Sequence, residues 1–269
     1  MADEKMDLIH RVKERHDEIV VIISPARSGS TPLSRVFWEH SAFRYYCHEP
    51  FEVTYFDGEP FETAIEKLEE ATDLLPLKNK DNGAPGNGLI VKEMPYQVGD
   101  NAPYLISLAT RPIVFLLRDP LAAVHSRYRK KQEVGDKGTY PGIEMGLTLV
   151  ENQIAHCKEN DIPYVLIESA DFRREPGKAL GKLFERLDLE FSPALIDWRP
   201  LPDFDVDNLE GRHSHLYTRV LQSTGIQPDN APPRTLEDFP EDDDFRKNVA
   251  HHAEIYKKLL EEPQRIRID

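Results

Sequence analysis

Two cysteines in 269 residues, Cys47 and Cys157, leave little room for a disulfide framework. With no C-x-x-C pair and no ligand-spaced Cys/His cluster, a structural zinc site is not expected either, and a reducing compartment fits. Long apolar runs are also missing. The longest aliphatic stretch, Ile19–Ile23, is far too short to span a membrane, and the opening MADEKMDLIHRVKERHDE lacks the apolar core of a signal peptide. Basic residues are scarce: 34 Lys and Arg stand against 48 Asp and Glu, a formal charge of −14, which argues against a nucleic-acid binder. It does not exclude a local basic pocket for a small anion. The G-x-x-x-x-G-K-[ST] loop of nucleotide triphosphatases does not occur, so a conventional ATP or GTP hydrolase is disfavoured. What remains, at 39% hydrophobic and 30% charged, is a chain able to bury a core. A soluble, cytoplasmic globular protein is expected, with no nucleic-acid or membrane partner; composition is silent on oligomeric state.

The patterning predicts strands alternating with helices. Met6, Ile9 and Val12 lie three apart within 3–18, a helical face. IVVII (19–23), LIVKEM (89–94), PIVFLL (112–117) and YVLIES (164–169) read as buried strands. Helices are predicted at 32–38, 60–75, from Pro120 through Arg129, over 143–157, around Leu180–Leu187 and over 245–261. Segment 78–88 reads as a Gly- and Asn-rich turn, and 192–240, rich in Pro, Asp and Asn, as long ordered loops. EDDD (241–244) suits the acidic start of the last helix. This order implies right-handed crossovers and a mainly parallel central sheet flanked by helices on both faces, a three-layer α/β fold in a single domain spanning 1–269.

Directly after the first strand comes SPARSGST (24–31). In such a loop, built from Ser28, Gly29, Ser30 and Thr31, Gly29 admits close backbone approach, the helix-start amides face an anion, Ser30 and Thr31 add hydroxyls, and Arg27 adds a full charge. A second anion-binding pattern lies in FLLRDPLAAVHSRYR (115–129), where Arg118 ends a strand and Ser126 follows eight residues later on the next helix. The two can converge near the carboxyl ends of the strands, where open α/β sheets bind ligands. No convincing carboxylate cage for a metal occurs.

With these two motifs, in this order, the chain resembles the sulfotransferases that use 3′-phosphoadenosine 5′-phosphosulfate (PAPS), and their P-loop-like fold is then the expected one. Arg27 with SGST looks like the family's 5′-phosphosulfate loop, and Arg118 with Ser126 like its 3′-phosphate motif. IESADFRREPGKALGKLFERLDLEF (167–191) is similar to its strand, acidic turn and Pro-led helix; VKEMPYQ (91–97) takes the place of the strand that brings polar groups to the substrate. HEPF (48–51) resembles segments of the bacterial branch. The likeness covers roughly residues 19–191. It implies transfer of a sulfonate from PAPS to a hydroxyl or amine of a small-molecule acceptor by in-line displacement, leaving adenosine 3′,5′-bisphosphate, with no metal needed. Two other readings stay open: a phosphotransferase or nucleotide kinase on the same fold, and a noncatalytic nucleotide-binding module.

The chain departs from the family in places. Arginine stands at 27 where many cytosolic members have lysine, Pro32 replaces a common aromatic or leucine, and Met94 stands where those members carry a catalytic histidine. The adenine-stacking residue is therefore unassigned, and the general base must come from Glu49, His48 or Glu93, in that order of preference. Pro50 is expected to hold Glu49 extended, and alternation to point His48 away from it. Lys92 is either an assistant across the cleft or a strand-end lysine reaching solvent. Arg212, in EGRHSHLYTRV (210–220) with His213 and His215, is a candidate for the 3′-phosphate. His125, His156, His251 and His252 are expected on the surface or on helix faces.

Overall fold

The computed structural model describes residues 2–77, 86–133, 135, 138–201, 218–229, 232 and 234–268. Six strands form one sheet: β1 (Ile19–Ile23), β2 (Phe43–His48), β3 (Thr72–Asp73), β4 (Gly88–Glu93), β5 (Ile113–Leu117) and β6 (Tyr164–Glu168), in the order β3-β2-β4-β1-β5-β6. All pairings are parallel except that of the short edge strand β3 with β2. Strands β1, β4 and β5 are buried along their whole length, which is why they read as continuous apolar runs rather than alternating ones.

Alternation survives inside the sheet. Ile19, Val21 and Ile23 of β1 pack into one apolar cluster, while Val20 and Ile22 pack into another on the opposite face. The first cluster is closed by α1 (Ala2–Lys13), α4 (Phe61–Glu69), α6 (Ala102–Leu108), α8 (Leu147–Glu159) and the final helix Asp243–Leu260; the second by α2 (Ser30–Glu39) and α10 (Pro176–Arg186). The architecture is thus the three-layer α/β fold expected. Between these lie α3 (Glu52–Phe56), α5 (Pro95–Val98), α7 (Pro120–Glu133) and α9 (Ser169–Arg174). Among the described residues no helix is long and apolar enough to cross a membrane.

Several boundaries differ from the sequence expectations. The first helix stops at Lys13 rather than residue 18, and α4 ends at Glu69 because Thr72 and Asp73 pair with Tyr46 and Tyr45 as β3. The predicted helix over 143–157 divides at Gly146, whose φ of +84° separates a 3-10 turn (Gly142–Met145) from α8. Strand β2 has no counterpart among the strands the patterning predicts. Within 192–240 the described residues include short helical turns at Pro193–Ile196, Thr218–Leu221 and Leu236–Asp238. His252 is buried on the final helix, not on its surface.

Helix α2 is enclosed on every side: all ten of its residues are buried. Its Arg35, itself buried, donates to the carbonyls of Arg199, Val220 and Leu221 and lies 5.2 Å from the Trp198 ring centre. Burial pulls the Arg35 guanidinium down to about 10. The chain beyond α10 is fastened to the back of the helix that follows the anion loop.

Candidate functional site

The loop after β1 is shaped by two residues in left-handed conformation, Arg27 at φ +62° and Gly29 at φ +91°. Gly29 caps α2, whose start has no side-chain cap, so first-turn amides and the positive end of the helix face outward from the loop. A left-handed arginine is strained by about 1–3 kcal/mol. It persists because its carbonyl accepts a hydrogen bond from Arg118 Nη1 (2.6 Å), while its Nε lies 3.3 Å from Ser126 Oγ. The loop and the Arg118–Ser126 pair, two separate motifs in the sequence, therefore form one cluster at the carboxyl ends of β1 and β5. Ser24 and Ser28 are fully buried, and their hydroxyls have no hydrogen-bond partner among the described residues; the same holds for Arg118 Nε. Orphaned donors beside a helix start and two guanidiniums fit a polyanionic ligand.

A third arginine, which the sequence reading missed, joins them. Arg173 of α9 places Nη2 where a Cβ on Gly29 would lie only 2.8 Å away, and its Nε contacts Ser169 Oγ at 3.3 Å. Burial, then the charges of Arg118 and Arg27, lower its pKa, with Asp229 acting in the opposite sense. In the sequence Arg173 is half of an Arg-Arg pair in a charged helix and carries no signal of its own.

Next to this cluster, Ser24 N–H donates to the carbonyl of Glu93, joining the loop to the end of β4. Lys92 and Glu93 point to opposite faces there. Lys92 pairs in register with His48 of β2, and its buried ammonium is hydrogen-bonded to Glu49 Oε1. The reading of Lys92 as a solvent-reaching side chain is thereby corrected: it lies under the sheet end, on a carboxylate. Gln97 Nε2 donates to Glu49 Oε2 at 2.8 Å, and His48 Nε2 lies 3.2 Å from Glu49 Oε1. His48 Nδ1 is 2.6 Å from Tyr46 Oη.

Two expectations about this turn fail for one reason. Glu49 is not extended but left-handed, at φ +47°. Its N–H continues the β2–β4 ladder to the Lys92 carbonyl at 2.7 Å, and the chain then turns at once, with Glu52 N–H donating to the Glu49 carbonyl. That twist breaks the alternation, so His48 and Glu49 face each other instead of diverging. Burial alone would raise the Glu49 pKa. The charges of Lys92 and His48 and the hydrogen bonds from both outweigh it, holding the carboxyl well below the usual range. Glu93 stands apart: its two oxygens accept Phe51 N–H (2.8 Å) and Met94 N–H (2.7 Å), fixing the turn. Burial, then the neighbouring Glu49, push its carboxyl up to about 8.

Of the residues singled out in the sequence, Arg27, Ser28, Gly29, Ser30, Thr31, Arg118 and Ser126 thus surround the loop, while Glu49, His48 and Lys92 form one buried polar unit beside it. Arg212, His213 and His215 lie outside the described residues. Among the described residues no group of three or more His, Cys, Asp or Glu side chains is placed to hold a metal ion.

Solved structures give this arrangement a context. The sulfotransferase domain from the Synechococcus PCC 7002 olefin synthase superposes over 90% of this chain and 96% of its own, with a TM-score of 0.51 at 17% identity. The sulfotransferase domain from the curacin biosynthetic pathway covers 92% and 98%, with a TM-score of 0.49 at 17% identity. The mouse sulfotransferase SULT7A1 complexed with PAP covers 70% and 65%, with a TM-score of 0.39 at 13% identity. The likeness to the olefin synthase domain, over nine-tenths of both chains, gives this chain the sulfotransferase fold. No protein-family model matches it, and no curated protein sequence does.

Proposed function

We propose that this protein is a PAPS-dependent sulfotransferase acting on a hydroxyl or amine of a small-molecule acceptor. The observation that carries the reading is the hydrogen bond from Arg118 to the Arg27 carbonyl, which with the Arg27–Ser126 contact fuses two anion-binding motifs into one cluster. A ligand with phosphate at both its 5′ and 3′ ends suits that cluster; the absence of a loop lysine disfavours a nucleoside triphosphate.

Sulfuryl transfer would rest on positioning and electrostatics, as phosphoryl transfer does. The acceptor atom bonds to sulfur as the bond from sulfur to the bridging oxygen breaks. Arg27, the helix-start amides and the hydroxyls of Ser28, Ser30 and Thr31 meet the charge that develops on the departing phosphate. The acceptor proton passes to the His48–Glu49 pair, which we treat as one base because the two side chains share a hydrogen bond. Lys92 and Gln97 position Glu49 and keep it ionised.

The test is thermal and calorimetric. Adenosine 3′,5′-bisphosphate should raise the melting temperature by mass action, by about 2.7 kcal/mol of stability at a hundredfold excess over its Kd. Adenosine 5′-monophosphate, without the 3′-phosphate, should do much less. Equal shifts from both would overturn the role of Arg118 and Ser126. Sulfonate appearing as a mass shift on metabolites supplied with PAPS would then separate an enzyme from a noncatalytic binder.

A further inference from the structure

Two contacts at the cluster come from neither the loop nor the helices beside it. Arg118 Nη2 is bridged at 2.6 Å by a carboxylate oxygen of Asp229, and Arg173 Nη1 donates at 2.7 Å to the carbonyl of Gln227. Both partners come from one extended stretch. It starts at a backbone bridge between Gly225 and Asp197, where a Cβ on Gly225 would lie 2.8 Å from the Ile196 carbonyl, and it crosses outward over α9 to the loop.

We infer that Arg118 and Arg173 form a phosphate seat that Asp229 occupies, so that residues 225–229 are a strap competing with the nucleotide. This rests on the proposed function and extends it to the regulation of the same site. Four points lead there. Arg118 is the residue read as the 3′-phosphate ligand, and a carboxylate is the side-chain group whose geometry on a guanidinium comes nearest to that of a phosphate. Arg173 is held in the same cluster by Ser169 and by the absence of a side chain at Gly29, while Arg27, Arg118 and Arg173 bring three positive charges to one loop. A single carboxylate answers those charges more weakly than a phosphate monoester, which carries nearly two. Asp229 keeps 31% of its side chain accessible and Arg118 only 15%, so the carboxylate can return to water as an incoming phosphate takes over the guanidinium.

Competition gives a sign that a purely structural role for Asp229 would not. Neutralising Asp229 removes the competitor and tightens nucleotide binding; removing the Arg173 guanidinium weakens it. Calorimetric titration of adenosine 3′,5′-bisphosphate into the wild type, Asp229→Asn and Arg173→Gln reads both, after circular dichroism confirms that each variant folds. Asp229→Asn should bind about two- to fivefold tighter, the span of a partly exposed ion pair. Arg173→Gln should bind about tenfold or more weaker, as for loss of a charge-assisted hydrogen bond. Binding by Asp229→Asn alone also supports the strap. If the wild type binds and Asp229→Asn binds equally or more weakly, the strap is overturned and the functional reading stands. An unchanged affinity in Arg173→Gln removes that residue from the seat. If neither the wild type nor Asp229→Asn binds, the functional reading falls, and the seat with it.

Discussion

Arg118 reaches across 91 residues of sequence to hydrogen-bond the main-chain oxygen of Arg27 at 2.6 Å. The end of β5 thus holds the backbone of the loop after β1 in a conformation that a free arginine would rarely adopt. Side chains on both segments then converge on one point.

Arg27→Ala should expose this division of labour. The left-handed backbone remains in the variant, so folding changes little, but the guanidinium beside the departing phosphate is gone. Loss of about 3 kcal/mol of transition-state stabilisation, by analogy with removal of an oxyanion donor, corresponds to a fall in kcat of about two orders of magnitude. Steady-state kinetics with saturating PAPS checks this; an unchanged kcat would remove Arg27 from the chemistry.

Gly29→Ala tests the close approach of Arg173. The methyl group would meet Nη2 at 2.8 Å, and φ is +91°, where a Cβ is strained by about 1–3 kcal/mol. Arg173, being the tip of a flexible side chain, moves away. The expected result is a modest drop in melting temperature together with a larger loss of nucleotide affinity. Loss of stability with affinity intact would show that only the backbone conformation matters at this position.

The His48–Glu49 pair should behave as a unit. Glu49→Gln and His48→Gln should each lower kcat strongly, and the double variant should lose little beyond the worse single one. Multiplicative losses, measured after confirming that each variant binds nucleotide, would mean the two groups act separately.

Glu49 and Glu93 give stability opposite dependences on pH. Glu49, with its pKa depressed in the folded state, contributes stability that is present above the unfolded carboxyl range and lost as pH falls through its folded value. Glu93, raised to about 8, binds its proton in the folded state where the unfolded chain has released it, so its contribution is lost as pH rises from 4.5 towards 8. Its slope approaches about 1.4 kcal/mol per pH unit at most. Chemical denaturation at several pH values should show that decline in the wild type and a flatter profile in Glu93→Gln.

What the sequence disclosed and what it hid follow from the same physics. The apolar runs of β1, β4, β5 and β6 are legible because strands buried on both faces need little else. The loop and the Arg118–Ser126 spacing are legible because their chemistry depends on residues close in sequence. FRYYCH hid β2, since its tyrosines, arginine and histidine break the apolar run and its exposure along the strand is irregular. The twist at Glu49 opposes a sound local rule, the restriction before Pro50; tertiary contacts from Lys92, His48 and Gln97 override it. Arg173 and Asp229 sit in charged or Pro-rich stretches where one residue looks like the next, and only the fold brings them to the loop.

The sheet order also sets the conditions under which this chain can be made. Ile19 pairs with Leu89 and Ile22 with Val114, so β1 acquires its neighbours only after β4 and then β5 have left the ribosome. At about 5–20 residues per second, that leaves a five-residue Ile/Val strand with two open edges for on the order of 5–20 s. An apolar strand with unpaired edges is a template for association with other chains. Nascent β1 is therefore a target for chaperones during synthesis, and a chain that stalls before β5 would present to the cell an aggregation-prone edge in place of a nucleotide loop.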